Sequence, residues 1–360
     1  MKKGFYFFLV SGSVFLIMLA VDGCKKKEIP PVERTPVAWV VGQQDSTTYG
    51  MILYSADGGD TWARQGQGSP VLQGIDVIDV WALDEQNVWA VCSDNTVIRS
   101  TDAGQHWVLV PTPPNPSSPN LCSISILNNI NIWISGEHGV VYHSADAGNT
   151  WTVFDTNFFH RGLMQGICAI TSQVIYVVGQ WGFLKGDTRG FIARTMDAGV
   201  TWDSITPGDD YNRNLWIGVS ATDPQHVIVY GGRSHYTYTL NGGVIWNNDS
   251  VPGGGGGGQP PDINHLIMLD SQTWWGAFDM DNIFFTDDNG LSWTSQNSVG
   301  PQNMYLVGID AFSDQMALIT GQSAGYPPAG KILKTTNGGA LWEMTYSCRS
   351  ILNKVRFAKK

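Results

Sequence analysis

Charge is what this 360-residue chain most conspicuously lacks: Asp, Glu, Lys and Arg make up only 14% of it, against about a quarter in ordinary globular proteins. The charge present has the wrong sign for nucleic acid. Twenty-one basic against 31 acidic residues leave a net −10, whereas a nucleic-acid-binding surface is basic. Ala, Glu, Lys and Leu are not present in the bulk that coiled coils and helical bundles need. The five cysteines contain no Cys-x-x-Cys pair and the seven histidines no ligand spacing, so neither a metal nor another cofactor is expected. The apolar stretch from Phe5 to Ala20 has sixteen residues, short of the 18–20 that span a bilayer. What is abundant is glycine (42), tryptophan (15) and hydrophobic residues overall (42%). That is enough apolar surface for a core, and it points to a turn-rich, all-β protein.

The N-terminus reads as an address. Lys2 and Lys3 precede the apolar stretch, and Val21-Asp22-Gly23-Cys24 follows it, the layout of a secretory signal. A cysteine directly after the small residue resembles the lipobox of bacterial lipoproteins, which implies cleavage before Cys24 and lipid attachment to it. Residues 1–23 are thus expected to be a lipoprotein-type signal peptide and 24–36 a tether. The remainder would be held at the cell envelope, in the periplasm or on the surface. The later cysteines, Cys92, Cys122, Cys168 and Cys348, fit as small hydrophobes in strands, with disulfide pairing left open.

Internal repeats decide the fold. One eight-residue pattern, Ser/Thr-x-Asp/Asn-x-Gly-x-x-Trp, occurs seven times without a gap, beginning at Ser55, Ser100, Ser144, Thr195, Thr239, Thr286 and Thr335. Its third position is Asp57, Asp102, Asp146, Asp197, Asn241, Asp288 and Asn337. An Asp or Asn bonds a backbone amide two residues on and fixes a tight turn. The glycine takes a positive φ, the Ser or Thr bonds across the turn, and the Trp offers a broad face for packing between sheets. This motif resembles the Asp box, or BNR repeat, of bacterial sialidases and related β-propellers. There it is a structural turn between the third and fourth strands of a blade, so these side chains are expected to be scaffold.

The box tryptophans are spaced by 45, 44, 51, 44, 47 and 49 residues, close to the 40–50 of a four-stranded blade. Seven blades fill 37–360, leaving no second domain. Strands ending in Gly precede the boxes, as in Ala38-Trp39-Val40-Val41-Gly42 and Ile175-Tyr176-Val177-Val178-Gly179. An inner strand precedes each of these except in the first repeat. Its counterpart lies at the C-terminus, in 350–357, which is expected to join the first blade and close the ring. Closure removes free sheet edges. The spacing resembles the photosystem II stability/assembly factor-like proteins, with Cys92 where a Gly is usual and Asn in two boxes.

In propellers of this type, ligands bind on the face opposite the boxes, around the central channel. The loops on that face carry four of the chain's ten arginines, Arg161, Arg189, Arg213 and Arg233, with Trp181 and Tyr236 beside them. Such a set can hold carboxylates or phosphates and favours recognition. These six are the candidate binding residues for a protein or glycan partner. No catalytic residue is assigned, and a monomer is expected. A glycoside hydrolase is the alternative. It would need two facing carboxyls, with Asp187, Asp209, Asp210, Asp279 and Asp281 as candidates. Glu137-His138 reads as a solvated turn, and the Phe/Tyr-Arg-Ile-Pro motif of sialidases is missing.

Overall fold

The computed structural model describes residues 35–115, 117–154, 158–159, 162–181, 189–206, 215–251, 261–279, 281–296 and 304–358. They form 28 strands arranged as seven four-stranded antiparallel sheets. Blades 2–7 take four consecutive strands each. Blade 1 has the order β28-β1-β2-β3, with β28 spanning Leu352–Phe357, β1 Ala38–Gly42, β2 Met51–Ser55 and β3 Ala63–Arg64. Ala38 faces Phe357 and Val40 faces Val355 across this pairing. The C-terminal strand therefore supplies the inner strand of the first blade and closes a seven-bladed β-propeller. A second tie at the seam is the Trp62 indole N–H, which donates to Thr345 of blade 7 at 3.1 Å.

The core is split among the blades. Seven clusters of buried residues lie among the described residues, one per blade–blade interface. A second strand is covered on both faces by neighbouring sheets, so it cannot alternate polar and apolar residues. β1, β5 (Val88–Cys92), β17 (Val227–Gly231) and β21 (Trp274–Phe278) are accordingly buried at every position. Outer strands meet solvent, as β19 (Asn247–Ser250) does along its whole length. Cys92, Cys122 and Cys348 form no disulfide, and Cys92 is fully buried.

All seven boxes have the same geometry, and it differs in one respect from the sequence expectation. The Ser or Thr hydroxyl donates to the box Asp or Asn at 2.8–3.0 Å and accepts the glycine amide at 2.7–3.1 Å. The Asp or Asn oxygen accepts the amide four residues on, not two, at 2.8–3.0 Å. The reason is that both turn residues, such as Ala103 (φ 57°) and Gly104 (φ 80°), are left-handed. This sign pattern is that of a type I′ turn, and it swings the later amide under the carboxylate. A Cβ on Gly104 would collide with the Trp39 ring of blade 1.

The five Asp boxes add a bond to the second carboxylate oxygen, from Thr61, His106, Thr150, Thr201 or Ser292 at 2.6–2.7 Å. In the two Asn boxes that fifth residue is Ile245 or Leu341. An amide nitrogen cannot accept a bond, so a donor there would have no use. Partial burial works against the Asp57 carboxylate, but the bonds from Thr61 and Ser55 prevail and hold its pKa near 2. His106 does the same for Asp102, also to about 2.

Candidate functional site at the channel mouth

The antiparallel order fixes which segments share an end of the ring. Inner strands start at one end and run toward the other. Second strands return, and third strands run out again to the boxes. The starts of the inner strands, the fourth-to-first connections and the second-to-third turns therefore lie at the mouth, opposite the boxes.

Every inner strand carries a β-bulge near its start, at the same place in all seven blades. The extra residues are Asn353, Ile78, Cys122, Gln165, Ile217, Asn264 and Val307, in blade order. A bulge re-aims a side chain, and all seven line one cavity of about 530 Å³ at the channel mouth. That volume is in the range of small-ligand sites, roughly 300–1,000 Å³. Opposite each bulge the second strand comes close. In five blades the facing residue is a glycine, among them Gly42, against Leu352, and Gly231, against Trp216. A Cβ on either would strike a backbone carbonyl, of Ile351 or Leu215.

The wall is two-sided. Ile78, Cys122, Leu163 and Ile217 form an apolar arc over blades 2–5, broken by Gln165. Asn264, Asp279, Gln322, Asn353 and Lys354 form a mainly polar arc over blades 6, 7 and 1, broken by Leu306 and Val307, with Tyr305 47% exposed among them. Asp279 is the one carboxylate among the described lining residues. It accepts a bond from Asn264 Nδ2 at 2.7 Å.

The polar arc also ties blades together, because the channel-side edge of each inner strand has no sheet partner. Asn264 donates to Leu306 O at 2.7 Å and Asn353 to Val77 O at 2.8 Å, each in the following blade. One layer deeper the side chains accept instead. Asp79 takes Ile124 N at 3.2 Å, His265 takes Ile309 N at 3.0 Å, and Asp310 takes Phe357 N at 2.7 Å. Ser125 and Ser220 do the same for Ala169 N and Met268 N.

Asp79 and Asp310 are buried carboxylates, and the closing strand β28 brings both cations that face them. Burial pushes the Lys354 ammonium down to about 8, with Arg356 pushing the same way and Asp79 and Asp310 opposing. For Arg356, burial works against the charge, but Asp79 and then Asp310 hold its pKa above the ordinary value. Its guanidinium lies 5.4 Å from the Trp81 ring centre. His265 is held well below its ordinary pKa, first by burial and then by Lys354 and Arg356, so it accepts the Ile309 amide as a neutral imidazole.

Among the residues expected from sequence, Trp181 and Arg189 are brought together at the mouth end of blade 4. The Arg189 guanidinium sits 5.2 Å over the Trp181 ring, beside a pocket of about 100 Å³ bounded by Phe191 and Ser204–Thr206. Arg233 is exposed in the second-to-third turn of blade 5, with φ 59°, its amide donating to Asp262 at 2.7 Å. Tyr236 corrects the expectation: it is buried in β18 (His235–Thr239), and its hydroxyl donates to Gly290 O at 3.2 Å. The strand begins one residue earlier, so alternation turns Tyr236 into the blade interface. Cys24, Arg161 and Arg213 lie outside the described residues, as do Asp187, Asp209 and Asp210. Glu137 is not a free turn residue; its carboxylate accepts Asn120 N at 3.0 Å. Asp281 accepts Met304 N at 2.6 Å.

Among known families, the model of the photosynthesis system II assembly factor YCF48 matches residues 70–206. No curated protein matches the sequence. The solved structure of YCF48 bound to D1 peptide is similar at 16% identity and a TM-score of 0.59, over 85% of this chain and 84% of that one. YCF48 from Cyanidioschyzon merolae is similar at 15% identity and a TM-score of 0.59, over 85% and 97%. The GH74 xyloglucanase from Xanthomonas campestris is similar at 11% identity and a TM-score of 0.59, over 86% of this chain and 54% of the enzyme. At these identities the structural likeness carries the fold alone. With the seven boxes, the matched segment and the ring closed by β28, the chain is an Asp-box, BNR-type β-propeller resembling the photosystem II assembly factor family.

Proposed function

We propose that this protein is an exported, lipid-anchored binding and assembly module whose channel mouth takes a peptide segment of a protein partner. The observation that carries the reading is the ring of seven bulges, one backbone device repeated with seven side chains of mixed character. An apolar arc facing amide, carboxylate and ammonium groups suits a chain that presents both side chains and backbone amides. The Trp181–Arg189 pair and Arg233 extend the same end outward and suit carboxylates of the partner. A relative with this fold has been solved bound to a peptide, which supports the peptide over the glycan reading. A single carboxylate among the described lining residues offers no second carboxyl for a glycosidase. The anchor rests on Lys2, Lys3, the Phe5–Ala20 stretch and Cys24.

Two experiments test this. Panning a displayed peptide library against the full chain should recover binders that lose affinity when Asn264 or Gln165 is changed to Ala. Recovery of glycans from an array and of no peptide would reverse the partner class. Mass spectrometry of the N-terminal peptide from cells should find a diacylglyceryl thioether on Cys24; an unmodified chain that begins elsewhere would remove the anchor.

A further inference from the structure

The polar arc at the channel mouth holds donors that the protein itself does not use. Lys354 lines the cavity from β28, partly buried. Among the described residues its ammonium donates no hydrogen bond and closes no ion pair. Asn353 beside it gives one amide hydrogen to Val77 O and keeps the other, since a carboxamide carries two. Gln322 lines the cavity from blade 7, its Oε1 buried in the wall without a partner. Turned about its last bond, this carboxamide presents N–H groups there instead. Buried polar groups left unpaired are costly, so three neighbouring side chains with unused donors call for an acceptor.

The nearby carboxylates do not answer Lys354. Asp79 Oδ1 accepts Val80 N at 2.8 Å, and its Oδ2 accepts Ser123 Oγ at 3.1 Å and Ile124 N at 3.2 Å. Asp310 accepts Ala311 N at 3.0 Å and Phe357 N at 2.7 Å. These two carboxylates hold the charge of Arg356, one layer deeper on the same strand, whereas at Lys354 burial outweighs them. Asp279 stands two blades away, in blade 6, and is bonded by Asn264. One ammonium matches one negative charge. A phosphate dianion would bring a second charge beside Asp79, Asp279 and Asp310.

We propose that Lys354, Asn353 and Gln322 form a carboxylate site inside the channel mouth, which the partner's segment fills with an acidic side chain while apolar neighbours meet Leu163 and Ile217 in the blades opposite. Alternation supplies both contacts, because successive side chains of an extended segment point to opposite sides. The source of the carboxylate rests on the peptide reading; the site does not.

A synthetic peptide library with acetylated and amidated ends is equilibrated with the full chain at pH 7. Recovered peptides should share an Asp or Glu flanked by apolar residues. Replacing that residue by Asn or Gln should weaken binding about tenfold to the unsubstituted chain, the usual worth of a hydrogen bond to a charged group, and less than about twofold to Lys354→Met. Gln322→Leu, which leaves every charge in place, should weaken the acidic peptide about threefold. A pH series needs no variant and decides the matter even if Lys354→Met fails to fold. The Lys354 ammonium loses its proton near pH 8, so the acidic peptide should bind about tenfold more weakly at pH 9 than at pH 7, and its uncharged version equally at both. The groups facing Lys354 are Asp79 in blade 2, His265 in blade 6, Asp310 in blade 7 and Arg356 on β28 itself. Across this range His265 is already neutral, Arg356 stays charged, and the Cys122 thiol, pushed up to about 12, stays protonated.

Sodium acetate and sodium phosphate are titrated alone to separate the sources. Saturable acetate binding that Lys354→Met abolishes, with no peptide recovered, keeps the carboxylate site and removes the peptide reading. Peptides that bind equally well without their acidic residue keep the peptide reading and overturn the site. Phosphate binding more tightly than acetate overturns it too. So does a charge effect that survives Lys354→Met and stays level from pH 7 to 9, which would move the carboxylate to Arg189 or Arg233.

Discussion

The two ends of this ring repeat in opposite ways. At the box end the side chains repeat: the same hydroxyl, carboxamide or carboxylate, glycine and tryptophan occur seven times with the same bonds. At the mouth the backbone repeats, a bulge in every inner strand, while the side chain it aims inward changes from Ile to Cys, Gln, Asn and Val. Repetition of side chains marks what the fold needs at each blade. Repetition of backbone with varied side chains marks a wall that is held in place by the fold and left free to differ. On this argument the boxes are scaffold and the ring of bulges is the proposed site, with Trp181, Arg189 and Arg233 at the same end of the ring.

The comparison can be broken most severely through the element both ends share. Deleting residues 349–360 removes β28, the partner of β1, and with it Lys354 and Arg356. The truncated chain should lose cooperative unfolding and solubility; a soluble truncation with an unchanged melting temperature would mean the ring is not closed this way. Next in size, Arg356→Met leaves two buried carboxylates with one cation. Breaking a buried ion cluster costs about 3–5 kcal/mol, to be read by denaturant unfolding. A smaller effect is expected from Ser55→Ala, about 1 kcal/mol for the lost hydroxyl bonds. Val307→Ala at the mouth should cost less than the box change; a larger loss there would make the bulge ring structural.

The smallest effect is a pH dependence to which the Asp boxes contribute and the Asn boxes do not. Asp57 and Asp102 have folded pKa values of about 2, below the unfolded value near 3.9. A depressed carboxylate stabilises the fold above its unfolded pKa, and that contribution is lost as pH falls from about 4 to 2. Carboxyl titration by NMR should place both near 2, and Asp57→Asn should flatten part of the acid limb. The boxes of Asn241 and Asn337 contribute nothing to it.

Much of the scaffold was legible because its causes are local. A Ser or Thr, an Asp, a Gly and a Trp at fixed offsets act within eight residues, so blade number could be read from their spacing; strand order within a blade followed from the resemblance to Asp-box propellers, and ring closure from the first repeat's missing inner strand and its counterpart in 350–357. Even the pairing of Asn241 with Ile245 and Asn337 with Leu341 is visible in the sequence once the second carboxylate oxygen is known to need a donor. The mouth was harder, because a bulge is a relation between two strands. It did leave a trace: the second strands carry Gly42, Gly136, Gly179, Gly231 and Gly321 at or near their ends, where the inner strand comes close. Reading those glycines as the partners of bulges would have pointed to Asn353, Gln165 and Ile217. Tyr236 was misplaced for the converse reason. Its neighbours look like loop in sequence, and only the start of β18 decides which way the side chain turns.

The central claim is tested most directly by calorimetric titration of one library-selected peptide into the unsubstituted protein, Ile78→Arg and Asp57→Asn, with melting temperatures measured alongside. Ile78→Arg should weaken binding about tenfold or more, as losing a contact at the centre of an interface does, with little change in melting temperature. Asp57→Asn should lower the melting temperature and leave the affinity within about twofold, since its effects stay local to the box. Binding that survives Ile78→Arg and fails with Asp57→Asn would exchange the roles of the two ends and contradict the account.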